Sequence, residues 1–599
     1  MNARLAILAT VLAVFPAQGL GQTRHSLVRF QSAGELSAYL ADPPPAPSSS
    51  LTSIRDPSSL FWVQTSQGGD DGGDVVKVHG DHLVVLRGGR LFTVSTTGKR
   101  LKPISDVDAF DGDIEADRTR YDEVLVSGGS VVAIGYGGRR GWMELRLFRI
   151  DAGGRLSHRA TCHLRSNNLS AYTWASRLKG TRLVLYVPLR VGHRHDPSAW
   201  LPAMRRWHPG GPDAGFRPIV SPTRIYRPGG QPDVDDRTVL HTLVTCELAR
   251  PELACSATGV LGPAGQELHV SGTATYVWAS NVVRATRPHA AARLYRLPLD
   301  GTSPSALGVR GRPINHLSFQ EGRDGSLNVL TTSDPAGTRA WPTGEVRLLR
   351  VPLARFADGT TSASAGDYRV LPGGGGEGVF ENRFVGPYLL YGTDDEVRSP
   401  RGELGSRVYV TRWTGGVVST FALSHGIDRI EAMGPDAVVV GPGANGHVHL
   451  SAIDLNGGRP RLAQRYVHRT AGQAWLSHRF FYRADGPDSG VLGLPIRGQG
   501  YPVYPNRLDG SAAMVFVRNQ GGRFEELGEL QARSAVAIPS PSAICDARCR
   551  GLFGYDHSRS LFLRGRIVAL LGSELVEVTL SSGRLREVGR VDCASASER

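Results

Sequence analysis

The sequence DDGGDVVKVHGDHLVVLRGGRLFTVS, residues 70–95, decides the fold. It contains three short apolar runs, at residues 75–78, 83–86 and 91–94, and breaks that contain glycine separate them. Each run has the length of a strand and is rich in β-branched residues, and each break predicts a tight turn. The stretch therefore predicts a meander of three antiparallel strands. A single meander cannot bury its own faces, so it needs neighbours of the same kind.

The rest of the chain supplies such neighbours. The same form recurs from EVLVSGGSVVAIGYG at residues 123–137 to SRSLFLRGRIVALLGSELVEV at residues 558–578. A unit of four strands recurs roughly every 45 to 65 residues, which suits propeller blades with loop insertions. Helical periodicity is almost absent after the N-terminus. The pattern predicts an all-β chain that forms a single β-propeller of about eight blades, with seven or nine as alternatives, each blade a four-stranded antiparallel sheet.

The N-terminal part of the chain predicts export. In residues 1–21, Arg4 precedes an apolar run at residues 5–15 that small residues follow, and this is the form of a secretory signal peptide. The run is too short to span a bilayer, and a buried N-terminal helix is the less favoured interpretation. Residues 22–60 are polar, with PPPAPSSS at residues 43–50, and predict a flexible segment. Residues 61–599 then form the propeller domain with loop insertions, in a periplasmic or extracellular protein without a membrane span.

The composition argues against a nucleic-acid partner. The formal net charge is +14, but the arginines are scattered singly through turns and no basic–aromatic block occurs. Charge of this kind is typical of a solvated basic surface. The 74 glycines and 37 prolines fall between the strands, which favours many turns over disorder. We expect a monomer.

Six cysteines in an exported chain favour disulfides over a metal site. Cys246 and Cys255 terminate two strand-like runs, HTLVTC and CSATGV, on either side of ELARPELA. A hairpin of the two runs would place the two cysteines opposite one another, so we predict a disulfide between them. The pairing of the other four stays open: Cys162, Cys545, Cys549 and Cys593.

Two polar segments are candidates for a ligand or metal site. The first is an acidic turn at residues 105–123, and the second is the insertion at residues 193–232, which contains HRHD at residues 193–196. The acidic side chains of the turn are Asp106, Asp108, Asp111, Asp113, Glu115 and Asp117. Their spacing does not match an EF-hand loop, so a solvated loop is favoured and calcium is the weaker alternative. The histidine cluster has no partner cluster in the sequence and is interpreted as exposed rather than metal-binding.

Three separated segments carry a family resemblance. Asp71, Asp74, Val76 and Lys77 match the opening motif of secreted β-propeller-domain proteins of bacteria and archaea, a Val-Asp-Glu-Ala-Asp-Ile-Val-Lys-like segment, although Gly72 replaces its glutamate. Residues 314–333 and 558–578 resemble a later segment and the closing segment of that family. A Leu-His-Pro-containing segment is represented only by LSHGIDRIEAMGPDAVVVG at residues 423–441. The resemblance implies a secreted propeller, and it implies no chemistry because the family has no established activity.

The sequence contains no motif that assigns a reaction. The short signatures of serine hydrolases, phosphate-binding loops and zinc peptidases do not occur. We therefore assign no catalytic, cofactor-binding or metal-binding residue. The favoured interpretation is an exported, non-catalytic binding or scaffold module for an extracellular or cell-surface ligand, to which either insertion could contribute. A secreted propeller hydrolase that acts on glycans or esters is the alternative.

Overall fold

The computed structural model describes the chain in eighteen stretches that exclude the predicted signal peptide. They are residues 25–41, 72–87, 89–109, 120–137, 141–166, 175–191, 200–208, 215–230, 238–250, 252–280, 291–333, 344–373, 380–393, 405–443, 447–471, 480–497, 512–533 and 558–593. Regular structure in these stretches is almost entirely β-strand. Short 3₁₀ turns occur at Pro222–Arg224, His316–Ser318, Leu353–Arg355 and Ala365–Asp367.

The first described residues form a strand and a helix that pack on the outside of the fold. These are β1 (Val28–Arg29) and α1 (Ala33–Ala41). The hydroxyl of Ser32 accepts a hydrogen bond from the backbone N–H of Glu35 and so caps the helix. Phe30 and Leu36 are 0% and 1% exposed, so this part of the segment expected to be flexible contributes to the core. In the described stretches, no helix has the length and hydropathy that a membrane crossing needs.

Blade 1 is the sheet that residues 70–95 predict. Its strands are β2 (Val76–His79), β3 (His82–Arg87), β4 (Arg90–Ser95) and β5 (Lys102–Asp108), hydrogen-bonded in that order. Gly80 has a φ of +54° in the turn between β2 and β3, in the left-handed region that favours glycine. The three predicted runs agree with β2, β3 and β4 to within a residue or two.

Blades 2 and 3 are wider than four strands because the insertion at residues 193–232 adds strands to both. The strands of this region are β6 (Arg120–Ser127), β7 (Ser130–Gly137), β8 (Trp142–Ile150), β9 (Leu156–Arg165), β10 (Ala175–Lys179), β11 (Arg182–Arg190), β12 (Ala203–Trp207), β13 (Arg217–Pro218), β14 (Ile225–Arg227), β15 (Val239–Glu247) and β16 (Ala254–Gly262). Blade 2 has the order β13-β12-β9-β8-β7-β6 and blade 3 the order β1-β14-β16-β15-β11-β10. β14 runs parallel to β16, and the other pairs are antiparallel.

Blades 4, 5 and 6 follow along the chain. Their strands are β17 (Gly265–Val270), β18 (Ala274–Ser280), β19 (Ala291–Pro298), β20 (Ser305–Arg310), β21 (Arg312–Pro313), β22 (Phe319–Glu321), β23 (Ser326–Thr332), β24 (Val346–Pro352), β25 (Asp358–Ser362), β26 (Tyr368–Leu371), β27 (Phe380–Val385), β28 (Tyr388–Thr393), β29 (Ser406–Arg412) and β30 (Ser419–Leu423). Blade 4 contains β17 to β20 and gains β25, blade 5 contains β21 to β24 and β26, and blade 6 contains β27 to β30. In blade 5, β21 and β22 share the first position, since both pair with β23.

Blades 7, 8 and 9 are regular four-stranded antiparallel sheets. Their strands are β31 (Arg429–Met433), β32 (Asp436–Pro442), β33 (His447–Asp454), β34 (Arg461–Ala471), β35 (Phe481–Ala484), β36 (Ser489–Arg497), β37 (Ala512–Gln520), β38 (Arg523–Gln531), β39 (Arg559–Leu563), β40 (Arg566–Leu571), β41 (Glu574–Ser581) and β42 (Arg584–Asp592). The first strands of neighbouring blades lie beside one another, as β27, β31, β35 and β39 do in turn, so they form the inner wall of the ring.

The propeller has nine blades, and our estimate of about eight is wrong. The repeat in the sequence alone leaves open whether the first and last units merge into one closing blade. The structure instead gives each terminal unit four strands of its own, in blades 1 and 9. Most blades have the four strands that the sequence predicts, whereas blades 2, 3, 4 and 5 have additional strands.

Ring closure between blades 1 and 9 occurs through sheet faces rather than a shared sheet. Val85 of β3 and Leu570 of β40 belong to one buried hydrophobic cluster, with Leu575 of β41. Strands of residues 561–588 thus lie beside the N-terminal meander, but in the described stretches no strand of blade 1 pairs with a strand of blade 9. The contact therefore depends on side-chain packing and on polar contacts between the faces.

One ion pair lies at the inner end of this contact. The Nε of Arg559, on β39, donates to Oδ1 of Asp74 at 2.9 Å, and the Arg559 side chain is 1% exposed. Nearer the outside, the backbone N–H of Leu101 donates to Glu577 at 3.1 Å. Because a buried guanidinium is stabilised by a counter-charge, loss of the Asp74 carboxylate would remove a charge that stabilises Arg559 inside the closure.

We predict that Asp74→Asn destabilises the protein by about 3 kcal/mol, since removal of one partner of a buried ion pair typically costs that much or more. Asparagine keeps the side-chain oxygen and removes only the charge. The matched control is Asp81→Asn, because Asp81 pairs with Arg564 across the same two blades with side chains that are 45% and 58% exposed. This control should cost less than about 1 kcal/mol. Chemical denaturation measures both, and equal costs would contradict the role of the buried pair.

Candidate functional site

The acidic turn is only partly described. Asp106 and Asp108 lie in β5 and pair with Arg90 of β4 at 2.8 and 2.5 Å. The other four carboxylates lie outside the described residues: Asp111, Asp113, Glu115 and Asp117. In the described stretches, no three acidic, histidine or cysteine side chains come close enough together to hold a metal ion. The two described aspartates instead stabilise the outer hairpin of blade 1. The HRHD cluster at residues 193–196 also lies outside the described residues.

Cys246 and Cys255 lie directly opposite one another in the hairpin of β15 and β16. The structure joins them as a disulfide, with Cα atoms 4.1 Å apart. Cys162 and Cys593 are buried free thiols, and Cys545 and Cys549 lie outside the described residues. Burial raises the pKa of Cys162 to about 11 and that of Cys593 to about 12. These two thiols are therefore unreactive at neutral pH.

Peptide mapping of unreduced protein tests the disulfide. We expect Cys246 and Cys255 in one cross-linked peptide pair and Cys162 modified only after denaturation. Since the two cysteines are separated by 9 in sequence, replacement of both by serine should lower the free energy of unfolding by about 2.5 kcal/mol. Cys162→Ala is the control and should leave the map of the cross-link unchanged. A map that pairs Cys246 with any other cysteine would refute the prediction.

Polar side chains of the inner strands join neighbouring blades. Arg383 of β27 pairs with Glu431 of β31 at 3.2 Å, which connects blades 6 and 7. On the other face of β27, the amide of Asn382 donates to Asn315 at 3.3 Å and connects blade 6 to blade 5. Both asparagines are buried. The inner polar residues here serve the contacts between blades.

Glu321 of β22 connects blade 5 to blade 4 in the same way. Its carboxylate accepts hydrogen bonds from the hydroxyls of Ser271, Thr273 and Tyr276, at 2.6, 2.7 and 2.9 Å. Burial works to raise the pKa of Glu321, but these three donors outweigh it and lower the pKa below its ordinary value. A carboxylate held ionised by three donors is suited to structure rather than to proton transfer.

Glu381 differs from these carboxylates because its carboxyl group has a raised pKa. It is 5% exposed, and burial raises its pKa to about 8. Arg429 and Arg383 work to lower this pKa, while Asp428 and Glu431 raise it. The inner wall therefore contains one carboxyl group that is largely uncharged at neutral pH. Raised pKa values of this kind are typical of general acids and also of buried structural carboxyls.

We predict that Glu381→Gln becomes more stable relative to the wild type as the pH rises. The pKa of Glu381 is about 8 in the folded state and ordinarily 4.5, so the stability that this group contributes is lost as the pH rises from about 4.5 to about 8. Glutamine has no proton to lose. The difference between the two proteins should change by at least about 1 kcal/mol over that window, since one pKa unit corresponds to about 1.4 kcal/mol.

Chemical denaturation at pH 5, 7 and 9 measures this change. Glu252→Gln is the control, because the Glu252 side chain is 87% exposed and should give no comparable slope. If both variants follow the wild type in parallel at all three pH values, Glu381 is not protonated in the folded protein.

Blade 7 contains a hydrogen bond between a serine hydroxyl and a histidine ring, the two groups of a nucleophile–base pair. Nε2 of His425 lies 2.8 Å from the hydroxyl of Ser451, and Nδ1 lies 2.7 Å from the carbonyl oxygen of Gly426. A carbonyl oxygen only accepts, so Nδ1 carries the proton and Nε2 accepts from Ser451. Burial lowers the pKa of His425 to about 4, and both side chains are 0% exposed. The pair has no exposed surface that a substrate could contact, and we interpret it as structural.

The insertion at residues 193–232 gives blade 2 a side-chain row that crosses three strands. Arg205 of β12 is the cross-strand partner of His163 on β9, and His163 is the partner of Glu144 on β8. Residues directly opposite one another share a face of the sheet. The neighbouring Leu164 lies on the other face, in the core that blade 2 shares with blade 3. The row of Glu144, His163 and Arg205 therefore lies on the face turned toward blade 1.

Blade 1 covers only the inner part of that face. Arg146 of β8, on the same face, donates to the backbone carbonyl of Ala109 in blade 1 at 3.0 Å. Blade 1 ends with its fourth strand, β5, whereas blade 2 continues through β12 and β13 to six strands. β5 lies against β9, whereas β12 and β13 are additional strands beyond β9, and the side chains of Arg205 and Trp207 on this part of the face are half-buried.

Aromatic rings and guanidinium groups alternate on this face. The guanidinium of Arg205 lies 4.9 Å from the ring centres of both Trp142 and Phe216, and that of Arg165 lies 5.0 Å from Phe216. Trp142 also stacks on His163, with ring centres 5.2 Å apart. The Nε of Arg205 donates to Nδ1 of His163 at 3.2 Å, which fixes the plane of the guanidinium. Cation–π contacts of this kind hold both partners in defined positions.

We name five of these residues the blade 2 shelf: Trp142, Arg165, Arg205, Trp207 and Phe216. All five are half-buried. The supporting side chains His163 and Glu144 are buried, with Nε2 of the histidine 3.7 Å from the carboxylate. Half-exposed aromatic and arginine side chains on a rigid sheet are typical of recognition surfaces. The shelf is therefore the candidate functional site.

Comparison with known proteins identifies the family. The family model described as "Beta propeller domain" matches residues 65–389, which is more than half of the chain. The chain belongs to the β-propeller domain family. The match covers blades 1 to 5 and the start of blade 6, and blades 7 to 9 continue the same architecture beyond it. No curated protein matches this β-propeller protein.

Solved structures resemble the propeller only distantly. A structure from a study of two prolyl endopeptidases is 13% identical, with a TM-score of 0.32, and the match covers 77% of this chain and 55% of that one. A mutant of Synechocystis apocarotenoid oxygenase is 10% identical, with a TM-score of 0.28, and the match covers 66% and 71% of the two chains. The propeller spans about half the length of the endopeptidase. Similarities at this level carry no argument about function.

One of the two candidate ligand segments of the sequence contributes side chains to the shelf. The insertion supplies Arg205, Trp207 and Phe216 of the shelf, but Trp142 and Arg165 come from β8 and β9 and were not singled out. The available signal was the cluster MRRW at residues 204–207, in which arginines stand beside tryptophan. Glu381 and His425 carry no sequence signal, because burial in the folded protein is the main cause of their perturbed pKa values.

Proposed function

We propose that this chain is an exported, non-catalytic binding or scaffold β-propeller that presents the blade 2 shelf to an extracellular or cell-surface ligand. The signal-peptide pattern of residues 1–21 supports export, and so does a disulfide between Cys246 and Cys255, since such bonds persist in oxidising compartments. The closed ring gives every blade two neighbours, which fits a monomer.

The shelf is the observation that carries the proposal. Trp142, Phe216 and Arg205 are held at fixed distances on a sheet, so binding would require little ordering of side chains. Arg205, Trp207 and Phe216 of the shelf also come from the additional strands or segments beyond β9, and their side chains are half-buried. A rigid, half-exposed surface of this kind suits recognition better than turnover.

The inner wall supports the same proposal. Glu321, Glu431 and Asp74 hold neighbouring blades together through hydrogen bonds or ion pairs. A glycosidase needs two carboxyl groups that are free to exchange protons with substrate and water. These carboxylates are occupied by contacts within the ring.

A secreted hydrolase for glycans or esters is the second candidate, and Glu381 is the observation that favours it. A carboxyl with a pKa of about 8 holds a proton that a general acid could donate at neutral pH. Its surroundings contain the cations Arg383 and Arg429, and the latter is nearly buried, with a side chain that is 8% exposed. This group would have to exchange its proton through an opening in the inner wall.

A paired activity and binding screen tests the proposal. The mature protein is assayed against glycan, ester and peptide substrates, with and without calcium or zinc, and is used in parallel to capture partners from cell surfaces. We expect capture without turnover. Glu381→Gln serves as the decisive variant, because turnover that this change abolishes would establish the hydrolase and overturn the binding role. Turnover that survives the change would also overturn it and would place the catalytic group elsewhere.

A further inference from the structure

We propose that the inner wall of the ring holds one small monovalent anion between blades 6 and 7, with the Arg429 guanidinium and the Glu381 carboxyl as its hydrogen-bond donors. The site is distinct from the shelf and uses no residue of blade 2. Three observations carry the inference: a buried arginine N–H group without a partner, a buried carboxyl without a hydrogen bond, and the arrangement of the charges around both.

Arg429 has a buried N–H group that no described residue accepts. It is the first residue of β31, and its side chain is 8% exposed. Its Nη1 is buried and has no hydrogen-bond partner among the described residues. Its Nε lies 3.8 Å from the carboxylate of Glu431, which is beyond hydrogen-bond distance. A buried donor without an acceptor destabilises the folded state, and most of all when it carries a charge. An acceptor that enters this part of the wall would remove that cost.

Glu381 faces the same boundary from β27 of blade 6. The strands β27 and β31 are neighbours in the inner wall. Glu381 points to the same side of β27 as Arg383, two residues along the strand, and Arg383 pairs with Glu431 of β31. Glu381 is therefore turned toward blade 7. It is 5% exposed, and its carboxyl makes no hydrogen bond with a described residue.

The surrounding charges leave these two groups as donors. Arg429 is the charge that acts most strongly on Glu381, while Asp428 and Glu431 both act to keep the Glu381 proton in place. The carboxylate of Glu431 already accepts from Arg383 at 3.2 Å. A protonated carboxyl donates through its O–H, as a guanidinium does through its N–H groups. At neutral pH this part of the wall therefore presents two donors.

The donors specify the chemistry of the ligand. They select a group that accepts hydrogen bonds, and the positive charge of Arg429 favours an anion over a neutral acceptor. A single negative charge is enough, because a dianion such as sulfate would add uncompensated charge beside Asp428 and Glu431. Chloride and the carboxylate of a small organic acid share these properties.

Anion binding is linked to the proton of Glu381. The pKa of this group is about 8, chiefly because burial disfavours its charged form. Once the proton is lost, the Glu381 carboxylate repels an anion and competes with it for Arg429. The affinity for the anion should therefore be highest below pH 8 and fall as the pH rises through that value. A bound anion in turn raises the pKa of Glu381 further.

Urea denaturation of the full mature chain tests the site, since an anion that binds only the folded protein raises its stability. The sodium salt of a large sulfonate keeps the ionic strength constant, and chloride or formate replaces it in steps. We expect stability to rise with chloride, with formate or with both. The apparent dissociation constant should increase about tenfold from pH 6.5 to pH 9, because the protonated fraction of Glu381 falls by that factor.

The two anions distinguish the sources of the charge. A response to chloride alone supports a halide site, a response to formate alone supports a site for the carboxylate of an organic acid, and a response to both supports a general site for monovalent anions. Equal stability in all three salts would leave water as the occupant and overturn the proposal.

Two variants separate the donors. Glu381→Gln keeps a donor and has no proton to lose, so its affinity for the anion should be the same at both pH values. Arg429→Gln should abolish the response to the anion. Because Arg429 is buried, this variant is informative only if it folds, and Glu381→Gln decides the matter if it does not.

Arg584→Gln is the matched control, because Arg584 is exposed on β42 of blade 9. It removes the same charge away from the inner wall and should keep the response of the wild type. A response that survives in folded Arg429→Gln, or a pH dependence that survives in Glu381→Gln, would overturn the proposal. A loss of the response in Arg584→Gln would do the same, since overall charge would then explain it.

Discussion

The fold depends on the contact between its first and last blades. In the described stretches, blades 1 and 9 share no strand, so the ring closes through contacts between the faces of two complete sheets. Apolar side chains pack in this contact, since Val85 and Leu570 are fully buried there, and burial of apolar surface stabilises it. The ion pair of Arg559 and Asp74 has a different effect. A buried charge without its partner is costly. The pair therefore destabilises any closed form in which another sheet takes the place of blade 1 and Arg559 loses Asp74.

Local features of the sequence made the blades predictable. Alternation of apolar residues and glycine-containing turns act over a few residues, and they specify β2, β3 and β4 almost to the residue. The number of blades is not a local property, since it depends on whether the first and last units of the chain form one sheet or two. Contacts between residues far apart in the sequence, such as that of Arg559 with Asp74, determine which of these forms. Periodicity cannot detect them.

The same limit applies to the additional strands and to the site. β14 runs parallel to β16 and also pairs with β1, so three distant segments determine one edge of blade 3. The shelf likewise combines Trp142 of β8 with Phe216 of the insertion. Polar character identified the insertion as a candidate segment, because loops tolerate and display such residues. The register of β12 on β9, which places Arg205 beside His163, is a property of tertiary structure alone.

A ring of sheets has two kinds of surface, and this chain uses them differently. In the inner wall the first strands of successive blades lie beside one another. Several polar groups there contact adjacent blades, as Glu321 does with the three hydroxyl groups of blade 4. The sides of the ring are accessible only where one blade is wider than the next. The insertion at residues 193–232 creates such a difference between blades 1 and 2, and its residues Trp200, Leu201 and Ile225 also join the core that blades 2 and 3 share. Extra strands at an outer edge can thus add a recognition surface while the contacts that close the ring stay intact, and the shelf lies where this argument places it.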